Sequence, residues 1–325
     1  MTSLPLDRLE LQVKRVWAEA KDVAVLELVA PDGRDLPAFT PGAHLELFLR
    51  NGLIRHYSLL NDCIERHRYL IAVGLSANSR GGSRFIHASL RHDDRLQTSV
   101  PRNNFMLDPQ AQRYCFVAGG IGITPILAMI RWCQREERPW RLIYSVRSLQ
   151  RAAFYEQLLE IDPARVQWHV TDQQDGRYLD AARVIDSLDT DEQLYCCGPE
   201  PLMTAIRDVG EAVAAQLHFE WFSAPSQPTA QAHADAPGGF DIHLRKSGLH
   251  LRVGPEQSIL EALEENGLEP PYACRSGICR TCETRVCEGE PDHRDLILSD
   301  QERAAGDCLL ICVSRAHSPS LVLDL

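Results

Sequence analysis

In the first hundred residues, hydrophobic positions form short runs. Turn residues, such as Pro31-Asp32-Gly33 and Asn51-Gly52, separate these runs at short intervals. Such runs predict β-strands. The predicted strands are Leu11–Trp17, Val23–Val29, His44–Leu49, Tyr57–Leu60 and Tyr69–Val73. Ser83–Leu90 is the one predicted helix of this region. Closely spaced strands of this kind indicate a small antiparallel β-barrel, which we assign to residues 1–107.

The pattern changes near Pro109, after which strand-like and helix-like segments alternate. The predicted strands are Tyr114–Ala118, Arg141–Val146, Val166–His169 and Gln193–Cys196. The predicted helices are Thr124–Cys133, Ala152–Leu159, Asp180–Ser187 and Pro199–Val209. Alternation of this kind indicates an α/β domain in which helices cover both faces of a parallel sheet. We assign this domain to residues 108–225.

A segment without periodicity follows. Residues 226–239 are rich in Ala, Pro, Gln and Gly, a composition that predicts a linker. Beyond the linker, Asp241–Arg245 and His250–Val253 predict a β-hairpin, and Ile259–Asn266 predicts a helix. The chain is therefore predicted to be multidomain, with a third, α+β domain over residues 240–325.

Composition and charge narrow the range of functions. The 325 residues carry a formal net charge of −11, which argues against a nucleic-acid partner. No run of about eighteen apolar residues and no signal-peptide core is present, so we predict a cytoplasmic protein without membrane contact. We also expect a monomer. In a reducing compartment, eleven cysteines indicate metal or thiol chemistry rather than disulfides.

Four of these cysteines have a recognisable spacing. Three lie in the sequence C-x4-C-x2-C, and the fourth follows after 29 intervening residues. This is the spacing of a plant-type [2Fe–2S] cluster. Small residues in the loop, such as Ser276 and Gly277, allow backbone N–H groups to face the sulfur atoms. The predicted iron ligands are Cys274, Cys279, Cys282 and Cys312.

Two alternatives to a cluster are a zinc site and a set of buried structural thiols. Structural zinc sites normally show two C-x2-4-C or Cys/His pairs, and here only Cys279 and Cys282 form such a pair. The remaining thiols outside the nucleotide motifs are interpreted as buried or incidental. They are Cys63, Cys115, Cys133, Cys196, Cys287 and Cys308.

Two motifs in the β-domain predict a flavin site. In Arg55-His56-Tyr57-Ser58, an Arg can pair with a phosphate, a Tyr can lie along an aromatic ring, and a Ser can hydrogen-bond a flavin nitrogen. In Gly81-Gly82-Ser83, glycines precede a helix with Ser83 as its N-cap, which makes an anion site. Separately, these motifs also fit a surface Arg beside a half-buried Tyr and an ordinary capped turn. Their order within one domain favours flavin.

Two glycine turns predict a nicotinamide site. Gly119-Gly120-Ile121-Gly122-Ile123-Thr124-Pro125 follows a strand and opens a helix, so its backbone can approach a pyrophosphate, although a plain tight turn is the alternative. Cys197-Gly198-Pro199 repeats this arrangement at the carboxyl end of another predicted strand, which places it beside the first turn. Tyr144–Arg147 is predicted to contact the adenosine ribose. Phe222, at the domain border, either covers a flavin face or packs in the core.

Together, the motifs resemble the phthalate dioxygenase reductase type within the ferredoxin–NADP reductase superfamily. Proteins of this type have a flavin barrel, a nicotinamide domain and a C-terminal plant-type ferredoxin domain of the β-grasp fold. The close of the chain, Cys312–Leu325, also resembles the family ending. The resemblance implies flavin contacts by Arg55, Tyr57 and Ser58, with His56 beside them, and phosphate binding by Gly81, Gly82 and Ser83. It implies a nicotinamide site shaped by Gly120, Thr124, Cys197, Gly198 and Pro199.

The resemblance also assigns the reacting centre and the cofactors. Ser58, Cys197 and Phe222 would lie at the centre, with Phe222 stacked on the isoalloxazine. The domain order implies FMN rather than FAD. NADH is favoured over NADPH, although Arg147 lies where some members of the superfamily hold a 2′-phosphate.

The implied reaction is hydride transfer from NADH to flavin, followed by two single-electron transfers to the cluster. Such a reaction needs no general acid or base from the protein. Plant-type clusters lie near about −400 mV and Rieske centres at about −150 to +300 mV. A drop of about 250 mV favours transfer by roughly four decades. The cluster is therefore a suitable donor to a Rieske centre.

We therefore expect a reductase component for a separate, Rieske-type terminal oxygenase that hydroxylates or demethylates an aromatic acid or a similar small molecule. The alternatives are a reductase for a diiron or haem monooxygenase, and an electron-carrier or redox-sensing iron–sulfur protein without reductase activity. Arg275, Ile278 and Arg280 are candidates for contact with the oxygenase because they adjoin the cluster ligands.

Overall fold

The computed structural model describes residues 8–75, 81–223 and 238–325. The chain forms two compact units, divided between Phe222 and Ser223. Within the described ranges, no helix has both the length and the apolar character that crossing a bilayer requires. The predicted linker, residues 226–239, lies outside the described residues except for its last two positions.

The N-terminal part of the first unit is a six-stranded antiparallel sheet in the order β4-β3-β6-β1-β2-β5. The sheet closes into a barrel where Leu59 pairs with Ile71 and the Leu60 amide donates to the Leu70 carbonyl (3.0 Å). The predicted barrel is therefore confirmed. Its strands are β1 (Arg8–Ala20), β2 (Val23–Val29), β3 (His44–Phe48), β4 (Ile54–Ser58), β5 (Tyr69–Gly74) and β6 (Arg95–Ser99).

Helix α1 (Gly82–Ser89) lies between β5 and β6 and starts one residue before the predicted position. Its N-cap is Gly81, so the prediction that Ser83 caps the helix is wrong. Gly81 has φ 90°, a left-handed conformation that residues with a Cβ rarely adopt. This conformation turns the chain into the helix at Gly82 and places Ser83 within the first turn.

The second part of the first unit is a five-stranded, fully parallel sheet in the order β11-β10-β7-β8-β9. The strands are β7 (Arg113–Gly119), β8 (Trp140–Val146), β9 (Val166–Val170), β10 (Glu192–Cys197) and β11 (Leu217–Glu220). The helices are α2 (Ile123–Arg135), α3 (Tyr155–Ile161), α4 (Ala181–Asp186) and α5 (Glu200–Val209). Central strand β7 is buried at every position after Arg113, as its apolar sequence predicts.

The barrel and the parallel sheet share one hydrophobic core. Barrel residues Leu70 and Ala72 belong to the same buried cluster as Phe116 and Ile126. In addition, the Arg131 side chain of α2 donates a hydrogen bond to the Leu60 carbonyl, two residues after β4. The end of the strand that carries the predicted flavin motif is therefore held against the helix that follows the glycine turn. The predicted domain boundary after residue 107 stays a prediction.

The second unit contains a mixed five-stranded sheet in the order β13-β12-β18-β14-β16, in which β12 and β18 are parallel. Two further short strands, β15 and β17, pair with each other. The strands are β12 (Phe240–Leu244), β13 (His250–Val253), β14 (Glu283–Glu288), β15 (Pro291–Asp292), β16 (Cys308–Leu310), β17 (Arg315–Ala316) and β18 (Ser320–Leu323). The helices are α6 (Ile259–Glu265) and α7 (Asp300–Ala305). The predicted hairpin and α6 are present, and α6 packs on a buried core with Leu309, Ile311 and Leu321.

Candidate functional site

An anion site is formed where β4 meets the start of α1. A Cβ added to Gly82 would lie 2.4 Å from Arg55 Nε and 2.6 Å from Arg55 Cγ, so the Arg55 side chain lies directly on the first helical turn. Gly81, the N-cap residue, has no side chain of its own to cap the helix. A guanidinium beside a helix N-terminus attracts anions, because both supply positive charge and N–H donors. These residues fit the phosphate of a flavin nucleotide.

Tyr57 and Ser58 complete the strand that leads from this anion site. Burial raises the pKa of Tyr57 to about 12, with Arg55 partly opposing the shift, so the phenol stays neutral at physiological pH. The Ser58 side chain is buried. Both side chains can donate a hydrogen bond, which suits the polar edge of a flavin ring. Their assignment to the flavin stays a prediction.

His56 contacts a buried polar cluster that sequence reasoning missed. Its Nε2 lies 3.8 Å from Glu46 Oε1, and its ring centroid lies 5.1 Å from that of His44. Arg102 donates to Glu46 Oε1 at 3.2 Å. Burial, with the nearby His56 and Arg102, lowers the pKa of His44 to about 3, so His44 is neutral. The structure does not test His56 as a flavin-binding residue.

The two predicted glycine turns lie side by side, because β7 and β10 are neighbours with Ala118 opposite Cys197. A Cβ on Gly122 would lie 2.1 Å from the Cys197 carbonyl oxygen, and one on Gly119 would lie 2.4 Å from Pro199 Cδ. Only glycine allows such an approach. The turns therefore form a narrow backbone cradle at the carboxyl ends of two adjacent strands, where nucleotides bind in parallel sheets.

Side chains inside the first turn fix its shape. The Thr124 hydroxyl donates to the Ile121 carbonyl at 3.0 Å and is buried. Pro125 is the third residue of α2, where its missing N–H costs no helical hydrogen bond. Gly198 lies against Gly119, since a Cβ on Gly198 would lie 3.0 Å from Gly119 Cα. Binding of nicotinamide by these residues stays a prediction.

Tyr144 does not have the predicted role. Its side chain is fully buried, and its hydroxyl donates to the Gly120 carbonyl at 3.0 Å, so contact with a ribose is excluded. Tyr144 instead supports the glycine turn from within the core. Arg147, three residues later, is exposed at the end of β8. Its Nε lies 3.8 Å from Asp172 Oδ1, and the Asp172 amide donates to the Arg147 carbonyl at 3.0 Å.

Glu220 is a second residue that sequence reasoning missed. It pairs in register with Cys197 on neighbouring parallel strands. Burial raises the pKa of Glu220 to about 8, and burial together with Glu220 raises the pKa of Cys197 well above its usual value. Both groups are therefore mainly protonated at neutral pH. Glu220 Oε2 is buried without a hydrogen-bond partner among the described residues, so this uncharged edge holds a proton next to the second glycine turn.

Phe222 lies two residues beyond β11. Its side chain is among the exposed large hydrophobic groups, at 43% exposure. An exposed ring at this position has surface available for stacking, and it does not belong to the buried core clusters of the parallel-sheet region. Its stacking on an isoalloxazine stays a prediction.

In the second unit, the four predicted iron ligands converge. The Cys274 thiol contacts those of Cys279 and Cys312, and Cys312 also contacts Cys282. The Ser276 amide donates to Cys274 Sγ at 3.3 Å. Within the described residues, no three Cys, His or carboxylate groups share a position for a single metal ion. Four thiols with this spacing fit a [2Fe–2S] cluster, which takes four cysteine ligands.

The backbone of the cysteine loop is unusually wound. Arg275, Gly277 and Arg280 have φ values of 55°, 70° and 60°, all in the left-handed region. Left-handed residues within a turn can direct neighbouring backbone amides toward the inside of a loop, where they can donate to thiolate and sulfide. Cys312 reaches the loop from the turn that follows β16. Among the other cysteines, Cys115, Cys133 and Cys196 are fully buried.

Comparisons with known proteins agree with a nucleotide-binding part in the first unit and a cysteine-ligand domain in the second. Residues 116–208 match the oxidoreductase NAD-binding domain family, and residues 242–317 match the 2Fe-2S iron-sulfur cluster binding domain family. The chain is 40% identical over 326 residues to tetrachlorobenzoquinone reductase of Sphingobium chlorophenolicum, covering 99% of each protein.

Solved structures also match this chain over nearly its whole length. Phthalate dioxygenase reductase, described as a modular structure for electron transfer from pyridine nucleotides to [2Fe-2S], is 38% identical and covers 98% of each chain with a TM-score of 0.71. An intact type IV self-sufficient cytochrome P450 monooxygenase is 33% identical with a TM-score of 0.89, covering all of this chain and 43% of the monooxygenase.

Fold and site together define an electron-transfer oxidoreductase with an NAD-binding domain and a C-terminal [2Fe–2S] domain. Within that class, the chain belongs to the phthalate dioxygenase reductase family. The resemblance, the three-part fold and the reductase class predicted from sequence are thereby confirmed.

An Arg55→Ala variant is expected to purify with less flavin, because it removes the cation that lies on the first turn of α1. A charge-assisted phosphate contact contributes about 1.5–3 kcal/mol, so flavin affinity should fall by at least about tenfold. The flavin content after gel filtration, read from absorbance against protein, measures this. Arg50→Ala is the matched control, since Arg50 is exposed and paired with Asp94. Full flavin occupancy in Arg55→Ala would show that the flavin site lies elsewhere.

Proposed function

We propose that this protein takes electrons from NADH through FMN bound to the barrel and a [2Fe–2S] cluster bound by Cys274, Cys279, Cys282 and Cys312, and delivers them to a Rieske-type terminal oxygenase. The observation that carries the proposal is the presence, in one chain, of an Arg-covered helix start, a paired glycine cradle and a convergent four-thiol loop. A bound flavin would supply the exchange between a hydride and single electrons.

The chain's own residues bind the flavin and the nicotinamide nucleotide and orient them. Arg55 and the first turn of α1 neutralise the flavin phosphate. The Gly119–Gly122 turn brings backbone close to the nicotinamide pyrophosphate. Cys197 and Glu220, both mainly protonated at neutral pH, add no charge beside the second glycine turn.

FMN is proposed over FAD because of the domain order. The anion site at α1 supports this choice, since FMN ends in one phosphate that a single guanidinium and one helix start can neutralise. Mass spectrometry of the flavin released by heat distinguishes the two. Release of FAD alone would overturn the FMN assignment without affecting the cluster or nicotinamide assignments.

NADH is proposed over NADPH because Asp172, two residues beyond β9, places its carboxylate beside Arg147 at the end of β8. The Asp172 carboxylate partly neutralises the guanidinium and repels a 2′-phosphate, which carries about −1.5 to −2 charges. Both side chains are mostly exposed, so solvent screening limits the effect.

An Asp172→Asn variant is expected to raise kcat/KM for NADPH by about three- to tenfold, with that for NADH changing less than about twofold. Steady-state ferricyanide reduction with each nucleotide measures the ratio. Asp175→Asn is the matched control, because Asp175 lies in the same loop and pairs with Arg177 at 3.1 Å. An unchanged NADPH/NADH ratio in Asp172→Asn would contradict this role.

The Rieske assignment of the partner rests on the dioxygenase named in the phthalate dioxygenase relative and on the favourable direction of electron flow. The similarity to a P450 monooxygenase supports the alternative of a haem partner. The similarity to tetrachlorobenzoquinone reductase supports the alternative of a quinone acceptor. Substrate-dependent NADH consumption with a purified Rieske oxygenase, a P450 and a benzoquinone compares the three. Coupled product formation with the Rieske oxygenase is expected, and coupling to the P450 alone would overturn that part of the proposal.

A cytoplasmic location is also proposed. The support is that a cysteine-rich chain with a C-x4-C-x2-C metal-binding spacing is typical of a reducing compartment.

A further inference from the structure

Arg280 lies between two of the iron ligands, Cys279 and Cys282, in a backbone conformation that favours glycine. Its φ is 60°. Residues with a Cβ persist in such a conformation when surrounding contacts hold them there, and these positions concentrate at functional sites. The contacts of the Arg280 side chain therefore show what holds this part of the loop.

The Arg280 guanidinium makes three contacts. It lies 2.7 Å from Glu302 Oε2 and 3.1 Å from Glu283 Oε2, and it donates to the Ile297 carbonyl at 3.3 Å. The side chain is only 27% exposed, so these contacts are partly shielded from solvent. Arg280 lowers the pKa of Glu302 to about 2, which keeps that carboxylate charged. The guanidinium thus faces its own domain.

Glu302 belongs to a rigid helix start. Its carboxylate accepts from the Ser299 amide and hydroxyl, both at 2.8 Å, while the Glu302 amide donates to Ser299 Oγ at 3.3 Å. This is a capping box at the start of α7. An ion pair to Glu302 therefore links the cysteine loop to a carboxylate that is already held in place.

The segment before α7 is fixed to the same loop. The Leu296 amide donates to the Gly277 carbonyl at 3.0 Å. Buried Asp295 accepts from the Ile297 and Leu298 amides at 3.0 and 2.8 Å, which holds this segment in a compact turn. The loop is thus attached through its backbone at Gly277 and through the Arg280 side chain near its end.

We propose that Arg280 is a positioning residue for the cluster. Its ion pair with Glu302 attaches the Cys279–Cys282 segment to α7 and thereby determines how tightly the cysteines hold iron. This inference rests on the proposed ligation of a cluster by the four thiols. In this proposal Arg280 acts through Cys279 and Cys282, whereas its adjacency to the ligands made it a candidate for contact with the oxygenase. Outer partners of metal ligands typically change metal affinity by about 10–100-fold when removed.

The test compares two capping boxes of one domain in the full-length protein. Glu302→Gln keeps the capping box, since Gln also serves at that position, and removes the charge that Arg280 contacts. Glu261→Gln makes the same charge change in the equivalent capping box at α6, formed by Ser258 and Glu261, and leaves Glu302 unchanged. The readout is the rate at which bathophenanthroline disulfonate removes iron from the dithionite-reduced protein, followed by loss of visible circular dichroism.

Arg280→Gln is expected to accelerate iron loss by about tenfold and Glu302→Gln by at least about threefold. The double variant should be no faster than Arg280→Gln, because both changes break the same link. Glu261→Gln should stay within about twofold of the unaltered protein. If Arg280→Gln does not fold, the comparison of Glu302→Gln with Glu261→Gln still decides.

Equal rates of iron loss in Glu302→Gln, Glu261→Gln and the unaltered protein would overturn the role of Arg280. Additive effects of the Arg280 and Glu302 changes would also overturn it, since the two would then act separately. An unaltered protein that cannot be isolated or reconstituted with a cluster would contradict the proposed function instead, so the two failures are distinguishable.

Discussion

A Cys312→Ser variant will lose its stable cluster and nearly all NADH-driven cytochrome c reduction, while NADH-driven ferricyanide reduction will continue. Cys312 supplies the thiol that contacts both Cys274 and Cys282, and it reaches them from a turn 30 positions beyond Cys282. Removing a direct ligand should cost more than the about 10–100-fold in metal affinity that outer partners contribute. Ferricyanide can take electrons from the flavin, whose proposed binding residues lie in the other unit.

Cys308→Ser is the matched control. Cys308 lies four residues earlier on β16, is partly exposed, and pairs with Arg285 of β14. Burial and neighbouring carboxylates raise the pKa of Cys308 to about 11, so it is a protonated thiol at neutral pH. Its variant should keep the cluster and both activities. Loss of both activities in Cys312→Ser, with far-ultraviolet circular dichroism unchanged, would contradict the serial order of flavin and cluster.

A Gly122→Ala variant will lose most of its use of NADH at low concentration while keeping its flavin. The new Cβ would lie 2.1 Å from the Cys197 carbonyl oxygen and 2.8 Å from the Gly198 amide nitrogen, so the two turns must separate. Overpacking of this kind costs about 1–3 kcal/mol, and a displaced cradle should raise KM for NADH by about tenfold or more. Steady-state ferricyanide reduction against NADH concentration measures it.

Gly52→Ala separates this steric effect from the general cost of replacing glycine. Gly52 has φ 79°, a Cβ added to it would meet no atom within 4 Å, and it lies in the turn before β4. Its variant should lose about 1–2 kcal/mol of stability through backbone strain and keep its KM for NADH. An unchanged KM in Gly122→Ala would show that NADH does not bind at the paired turns.

The elements that sequence predicted well are those whose signal is local. Alternating or continuous apolar runs gave β2, β7 and β8 with bounds close to those observed. Strand β6 was missed because only Leu96 of its three buried residues is apolar, and β11 because its four residues are all half-buried. Short strands of this kind carry too few apolar positions for a pattern to appear.

The site residues that were missed or misassigned depend on contacts distant in sequence. Glu220 meets Cys197 through the register of two parallel strands, which no spacing reveals. His44 and Glu46 alternate with Leu45 and Leu47, a pattern that predicts an exposed face, yet both polar side chains are buried. Tyr144 follows the inward alternation of its strand and points into the core. In contrast, three of the four cluster ligands lie within nine residues, so spacing alone predicted them.

One chain is proposed to carry electrons from NADH through a flavin to a [2Fe–2S] cluster. The decisive experiment is an anaerobic NADH titration of the purified protein, followed by visible absorbance and then by cytochrome c reduction. The expected result is bound flavin and cluster absorbance, bleaching of both by NADH, and cytochrome c reduction that depends on the cluster. Absence of flavin, or a flavin and cluster that NADH does not bleach, would contradict this path of electron transfer.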